Sequence, residues 1–220
     1  EKRFRELLIL FDKLMTEHGL TYFLYGGTLL GSYRHHGPIP WDDDLDVIVP
    51  VLLRPLVKQI FAKVSPDFVL NFHQRCYCKL FSSRSDPILN LPWKWPFLDI
   101  FFYDENATHI WDICPYYRDR YRYEKALVFP LRRRPFLDLS LFAPHHTRAV
   151  LAETYKIDDC QSSAYIHRWE RSRESTTAPC SEIHSLHAFV SRTYMNGGCN
   201  ETLIHHKNIT KVFFDYGATC

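Results

Sequence analysis

Between Tyr25 and Val49 the chain reads YGGTLLGSYRHHGPIPWDDDLDVIV, and the spacing of its aspartates constrains the fold more than any other feature. In an extended strand successive side chains point to opposite faces, so residues two apart share one. Residues 45–49 have the apolar, β-branched character of a buried strand. Asp44 and Asp46 then stand side by side, with Leu45 and Val47 turned to the core. Asp42 shares that parity if the strand reaches so far, whereas Asp43 faces away. Carboxylates crowded on one face repel each other unless a cation joins them, and oxygen ligands of this kind suit Mg²⁺ or Mn²⁺. The expected metal ligands are therefore Asp42, Asp44 and Asp46. A hard dication held in this way serves phosphoryl chemistry, because it neutralises the transferring group and orients attacker and leaving group.

The segment just before the acidic run adds a second half to this pattern. Residues 21–25 read as a short aromatic strand, Gly26-Gly27 as a turn, and residues 28–33 as the start of a helix. Glycines there let backbone N–H groups approach a phosphate beside a helix N-terminus. A Gly-Gly pair alone is more often just a turn, and an acidic run alone is more often a solvated loop. Strand, Gly-Gly, helix and Asp-x-Asp in this order form a specific arrangement. Asp99, inside the apolar run PFLDIFFY, supplies a third carboxylate, since burial there is costly without a pairing partner or a metal. The competing reading is an isolated carboxylate hydrogen-bonded in the core.

The rest of the chain sets the architecture. Phe4, Leu7, Leu8, Phe11, Leu14 and Met15 recur at helical spacing ahead of Gly19. Helices are also expected over 54–64 and 145–155, and strands over 68–72, 76–81, 97–103 and 108–113. This order predicts an α+β (mixed α/β) domain over residues 1–170, its mixed sheet flanked by helices. A chain of 220 residues, 46% apolar and 24% charged, accommodates one well-packed domain. From Arg171 the periodicity fades, and residues 171–220 read as an irregular, disulfide-tied tail carrying cysteines and sequons. Arg132-Arg133-Arg134 reads as a solvated loop.

Several functions are argued against. A net charge of +2 gives no case for a polyanion partner, and no aromatic–basic pattern points to nucleic acid. His35-His36 and His145-His146 lack a second ligand pair at zinc spacing. No segment reaches the roughly 18–20 apolar residues of a membrane span, while a signal or anchor upstream of Glu1 stays open. Three of six asparagines (Asn106, Asn200 and Asn208) stand in N-x-S/T sequons. With seven cysteines, four of them from Cys160 onward, this favours an oxidising secretory lumen over a cytosolic chain with buried thiols.

At these residues the sequence resembles the LicD family, which includes bacterial phosphocholine transferases and animal fukutin. The match runs through Gly26-Gly27-Thr28-Leu29-Leu30-Gly31, Arg34-His35 and Ile39-Pro40-Trp41-Asp42-Asp43-Asp44-Leu45-Asp46, and continues more weakly through Lys79, Asp99, Phe129-Pro130-Leu131 and the segment from Pro144 to Tyr155. The resemblance implies a nucleotidyltransferase-like fold. It also implies transfer of a phosphorylated alcohol, ribitol phosphate or phosphocholine, from a CDP-linked donor to a glycan or glycoprotein acceptor in the Golgi. Carried over, Asp44 and Asp46 hold the metal, Asp99 is a third ligand or the base for the acceptor hydroxyl, and Gly26, Gly27 and Thr28 line the phosphate path. Arg34 and Lys79 are cations for the diphosphate, or else surface charges. Two alternatives remain: an NTP-dependent nucleotidyltransferase on the same fold, and a non-catalytic glycan-binding or scaffolding relative. The family's Tyr-Gly is replaced here by Tyr155-Lys156, and the tail has no counterpart, which leaves acceptor recognition more open than chemistry.

Overall fold

Apolar residues three and four apart make helix α1 (Lys2–Glu17) amphipathic, and Leu7, Leu8, Phe11 and Met15 are its buried stripe. The structure, a computed structural model, describes residues 2–72, 75–218 and 220. After α1 come strand β1 (Phe23–Leu24), helix α2 (Gly26–His35), strand β2 (Asp46–Pro50) and helix α3 (Arg54–Ala62). Strands β3 (Phe68–Asn71), β4 (Tyr77–Pro87), β5 (Lys94–Glu105), β6 (His109–Asp112) and β7 (Arg122–Glu124) follow. They form one sheet in the order β1-β2-β5-β4-β3, with β6 on β5 and β7 on β6. Only β2 and β5 run parallel within it; the other neighbours are antiparallel. The mixed sheet with packed helices is the α+β class that the sequence predicts. Phe97, Leu98, Ile100 and Phe102 of β5 are fully buried, each worth about 1.5–3 kcal/mol of burial, which fixes β5 as the central strand.

Helix α4 (Lys125–Val128), the hairpin β8 (Arg132–Phe136) and β9 (Leu139–Ala143), and helix α5 (Thr147–Ala152) complete the region around the sheet. Helix α5 is shorter than the 145–155 stretch expected of it. Strands β10 (Asp159–Gln161), β11 (Tyr165–Ile166), β12 (Arg171–Ser172) and β13 (Thr177–Pro179) then form nested hairpins, β10 on β13 and β11 on β12. The Cys160–Cys180 disulfide closes the outer one. Strands β14 (Phe189–Met195), β15 (Gly198–His205) and β16 (Asn208–Tyr216) are an antiparallel meander fastened by Cys199–Cys220. The expectation of an irregular tail is corrected here. This meander buries a carboxylate, Glu201, while Tyr194, Met195, Ile209 and Val212 stay exposed, so the apolar alternation that marks strands in a sequence is missing.

The basic block is also corrected. Arg132, Arg133 and Arg134 lie in β8 rather than in a solvated loop, and each finds a distant acid. Arg133 pairs with Asp12 at 2.8 Å, and Arg132 with Asp215 at 2.8 Å. Buried Arg134 grips Glu201 through Nη2, at 2.9 and 2.7 Å. Arg192 donates to Glu201 at 2.9 Å, and His36 Nε2 lies 2.9 Å from its other oxygen. One buried carboxylate thus joins the C-cap of α2, β8 and the meander. Burial pushes the Glu201 carboxyl up, but His36, Arg134 and Arg192 outweigh it and hold it at about 2. A carboxyl held below its ordinary 4.5 contributes stability above that pH and loses it as pH falls toward about 2. Replacing Glu201 with Leu removes the carboxylate that buried Arg134 and half-buried Arg192 share, and urea unfolding at neutral pH is expected to show a loss of about 3–5 kcal/mol. Glu201→Gln is expected to lose less further stability than wild type between pH 4.5 and 2.

Candidate active site

Sheet register assembles the centre of the site. In the parallel β2–β5 pair Asp46 is opposite Asp99, and in the antiparallel β4–β5 pair Asp99 is opposite Lys79. Paired residues share a face, so Asp46, Asp99 and Lys79 form one row across three strands. Lys79 Nζ lies 2.9 Å from each Asp99 oxygen and 3.5 Å from the centre of the Phe97 ring. Both partners are buried. Asp44 precedes β2 by two residues and comes onto the same cavity.

The first turn of α2 is latched to this row. The Asp46 N–H donates to Thr28 Oγ1 at 2.7 Å, and the Tyr25 N–H donates to the Asp46 carbonyl at 3.2 Å. Gly26 opens the helix at φ +52°, and a Cβ there would lie 3.1 Å from Asp46 Oδ2. At Gly27 a Cβ would meet Asp42 Oδ2 at 3.0 Å. The two glycines therefore bring backbone against carboxylates, as well as serving the left-handed turn.

The nested hairpins lie across the acidic run. The off-parity Asp43 accepts the N–H groups of His167 and Arg168 at 3.1 and 2.9 Å. His167 Nε2 is thereby held 3.1 Å from Asp44 Oδ2. Glu170 accepts from Trp93 Nε1 and the Tyr165 hydroxyl, each at 3.0 Å. Beneath is a cavity of about 920 Å³ lined by Gly26, Gly27, Asp44, Asp46, Asp99 and Lys79, with tyrosines 77, 117, 121 and 155 on its wall. A second cavity of about 560 Å³ shares Asp44 and Asp46 and is bordered by Asp42, Arg34, Arg120 and Lys156.

The charge balance is uneven. Burial, then Asp46, Asp42 and Asp99, push the Asp44 carboxyl well up. Burial, then Asp99 and Asp42, do the same to Asp46 against the opposing pull of Lys79. Burial also raises Asp42 and Asp99, opposed by His167 in the first and chiefly by Lys79 in the second. Ligand atoms of Asp44, Asp99 and His167 lie within 4.8 Å of one another. Two unit charges at that separation repel by about 3 kcal/mol at an effective dielectric near 20, a sizeable part of a domain's net stability. Carboxylate oxygens so placed, with one imidazole, form a donor set that fits a hard divalent cation.

Not every residue expected at the site faces its centre. Gly26, Gly27, Asp44, Asp46, Asp99 and Lys79 line the larger cavity, while Asp42 and Arg34 border the second. Arg34 Nη1 donates to the carbonyls of Ile157 and Asp159, at 3.4 and 3.0 Å, and contacts the Cys160–Cys180 sulfurs. Thr28 is buried beneath the site, holding the Asp46 amide. His167, Glu170 and the tyrosine wall escape a local reading. Asp43 was the available signal, because a carboxylate turned off the shared face needs donors from elsewhere.

Residues 19–146, more than half of the chain, match the family described as LicD/FKTN/FKRP, nucleotidyltransferase domain, and the chain belongs to that family. It is 32% identical over 180 residues to the lipopolysaccharide cholinephosphotransferase LicD of Haemophilus influenzae, covering 77% of this chain and 54% of that protein. It is 29% identical over 165 residues to the mouse ribitol-5-phosphate transferase FKTN, covering 71% of this chain and 34% of that protein. An uncharacterised Rickettsia typhi protein is 27% identical over 133 residues, covering 60% and 38% respectively. The chain thus spans between about a third and about half of the length of these relatives. The family is one of phosphoalcohol transferases, as the names of its characterised relatives state.

Gly26→Ala tests the latch. A side chain at positive φ costs about 1–2 kcal/mol, and its Cβ presses on Asp46. The expected outcome is a loss of that size in urea unfolding together with weakened divalent-cation binding. An unchanged stability and cation affinity would contradict it.

Proposed function

We propose that this chain is the catalytic domain of a metal-dependent transferase that moves a phosphorylated alcohol, of the ribitol phosphate or phosphocholine type, from a CDP-linked donor to a glycan acceptor. The observation that carries this reading is that Asp44 and Asp46 open onto two cavities at once. A transfer between two substrates needs that arrangement, with donor and acceptor meeting at one charged centre. We assign the donor to the larger cavity, where Lys79 and Gly26-Gly27 meet a diphosphate and the tyrosines supply apolar surface. The acceptor enters through the second.

Asp44, Asp46 and Asp99 would hold Mg²⁺ or Mn²⁺, with Asp42 beside them. Such an ion, when bound, neutralises the diphosphate and the developing charge on the departing CMP. Lys79 engages both oxygens of Asp99, which suits Asp99 to the role of fixed ligand better than to that of base. In the transfer the acceptor hydroxyl oxygen bonds to the phosphorus that bears the alcohol. The bond from that phosphorus to the bridging oxygen breaks, CMP leaves, and the hydroxyl proton passes to a nearby carboxylate or to water. Asp43 holds the hairpin backbone, and with it His167, over the reacting groups.

We further place the chain in the lumen of the secretory pathway, in the Golgi. This is supported by the Cys160–Cys180 and Cys199–Cys220 disulfides and by the exposure of the sequon asparagines Asn106 and Asn208. Among the described residues no helix is long and apolar enough to cross a membrane.

The test is CMP release from a panel of CDP-alcohols with Mn²⁺, beside Asp44→Asn. The expected result is release from one donor, reduced by about two orders of magnitude or more in the variant. Pyrophosphate release from an NTP instead would identify the nucleotidyltransferase alternative. Silence across both panels from folded protein would favour a binding role.

A further inference from the structure

Three cysteines, Cys76, Cys78 and Cys114, stand outside the two disulfides. Cys78 is fully buried, with its Sγ against the Ile100 carbonyl. The other two are brought together by the way two strands meet. Strand β4 begins with Tyr77 opposite Phe101, and β6 ends with Asp112 opposite Tyr103. Both lie on the edge of β5 away from β2, so their ends abut at Phe102. There the Ile113 N–H donates to the Phe102 carbonyl at 3.0 Å. Cys76 immediately precedes the first strand end and Cys114 closely follows the second. The two cysteines are thereby brought beside each other, near enough for the Cys76 thiol to help push the Cys114 thiol up, although 38 positions separate them in the chain.

We propose that Cys76 and Cys114 form a third disulfide, a staple that joins the start of β4 to the turn after β6 behind the aromatic wall of the larger cavity. Two of that wall's tyrosines are its direct neighbours. Tyr77 follows Cys76 and stacks on Phe101 at 4.9 Å. The Tyr117 N–H donates to the Cys114 carbonyl at 2.9 Å, and its ring meets Phe101 edge-on at 6.0 Å. Linking the two cysteines ties both flanks of this aromatic trio to one covalent anchor.

The oxidant is a low-molecular-weight or protein disulfide. Cys76 is the more exposed of the pair, and burial with the neighbouring thiol pushes Cys114 up to about 12, so exchange begins at Cys76. Its thiolate attacks one sulfur of the oxidant, that S–S bond breaks, and the first thiol leaves. The Cys114 sulfur, giving up its proton, then attacks the Cys76 sulfur of the mixed disulfide and expels the second thiol. Two protein thiols are oxidised, and one external disulfide is reduced to two thiols.

The full chain, incubated with oxidised or reduced glutathione, acid-quenched, denatured and alkylated, tests this by peptide mass. Reduced glutathione should leave Cys76, Cys78 and Cys114 all alkylated. Oxidised glutathione should leave only Cys78 alkylated and yield one peptide pair joining Cys76 to Cys114. Oxidation should also raise the thermal midpoint of wild type by several degrees and leave Cys114→Ser unchanged. Cys114 still alkylated beside a glutathione adduct at Cys76, or a Cys76–Cys78 link, would overturn the proposal. Thiol labelling is independent of transfer activity, so neither outcome depends on the donor.

Discussion

The site depends on holding like charges together. Register alone places Asp46 and Asp99 side by side, and the turn before β2 brings Asp44 and Asp42 to them. In low dielectric each added carboxylate opposes the others, and only fixed partners keep the cluster in place. Lys79 offsets Asp99 from the adjacent strand. Thr28 and Tyr25 fix the Asp46 backbone rather than its carboxylate, which leaves the carboxylate oxygens directed at the cavity. A site that remains under-neutralised in this way suits the dication and the diphosphate donor proposed for it.

The second half of the chain supplies the remaining constraint. The nested hairpins are pinned at one end by the Cys160–Cys180 disulfide, which lies against the buried Arg34 guanidinium. At their tip Asp43 takes two backbone amides. The meander beyond them is locked to the C-cap of α2 through His36 and Glu201 and to β8 through Arg134. Since α2 also carries the glycine turn at the carboxylates, the buried ion network supports the same helix that shapes the site. Stability and function share α2.

Much of this was legible in the sequence because it is local. Period-two spacing put Asp44 and Asp46 together and set Asp43 apart, helical spacing gave α1, and one aspartate in an apolar run marked Asp99. The parts that were not legible depend on pairing across long separations. Arg134 reads as part of a solvated loop until Glu201 and Asp215 are found beside it, 67 and 81 positions away. Residues 189–216 fold as strands around a buried carboxylate, so no apolar alternation announces them. Arg34, matched as a diphosphate cation, borders the second cavity and gives one nitrogen to the carbonyls of Ile157 and Asp159, contacts more than 120 positions away that no local pattern shows. His167 reaches Asp44 only because a hairpin more than 120 positions downstream folds back onto Asp43.

The carboxylate row is proposed as a divalent-cation site. Calorimetric titration of the purified chain with Mn²⁺, beside Asp46→Asn, tests it most directly. The expected result is a saturable Mn²⁺ site whose occupancy raises the thermal midpoint, with affinity at least about tenfold weaker in the variant. Equal Mn²⁺ binding by both proteins, or no binding by either while both remain folded, would contradict it.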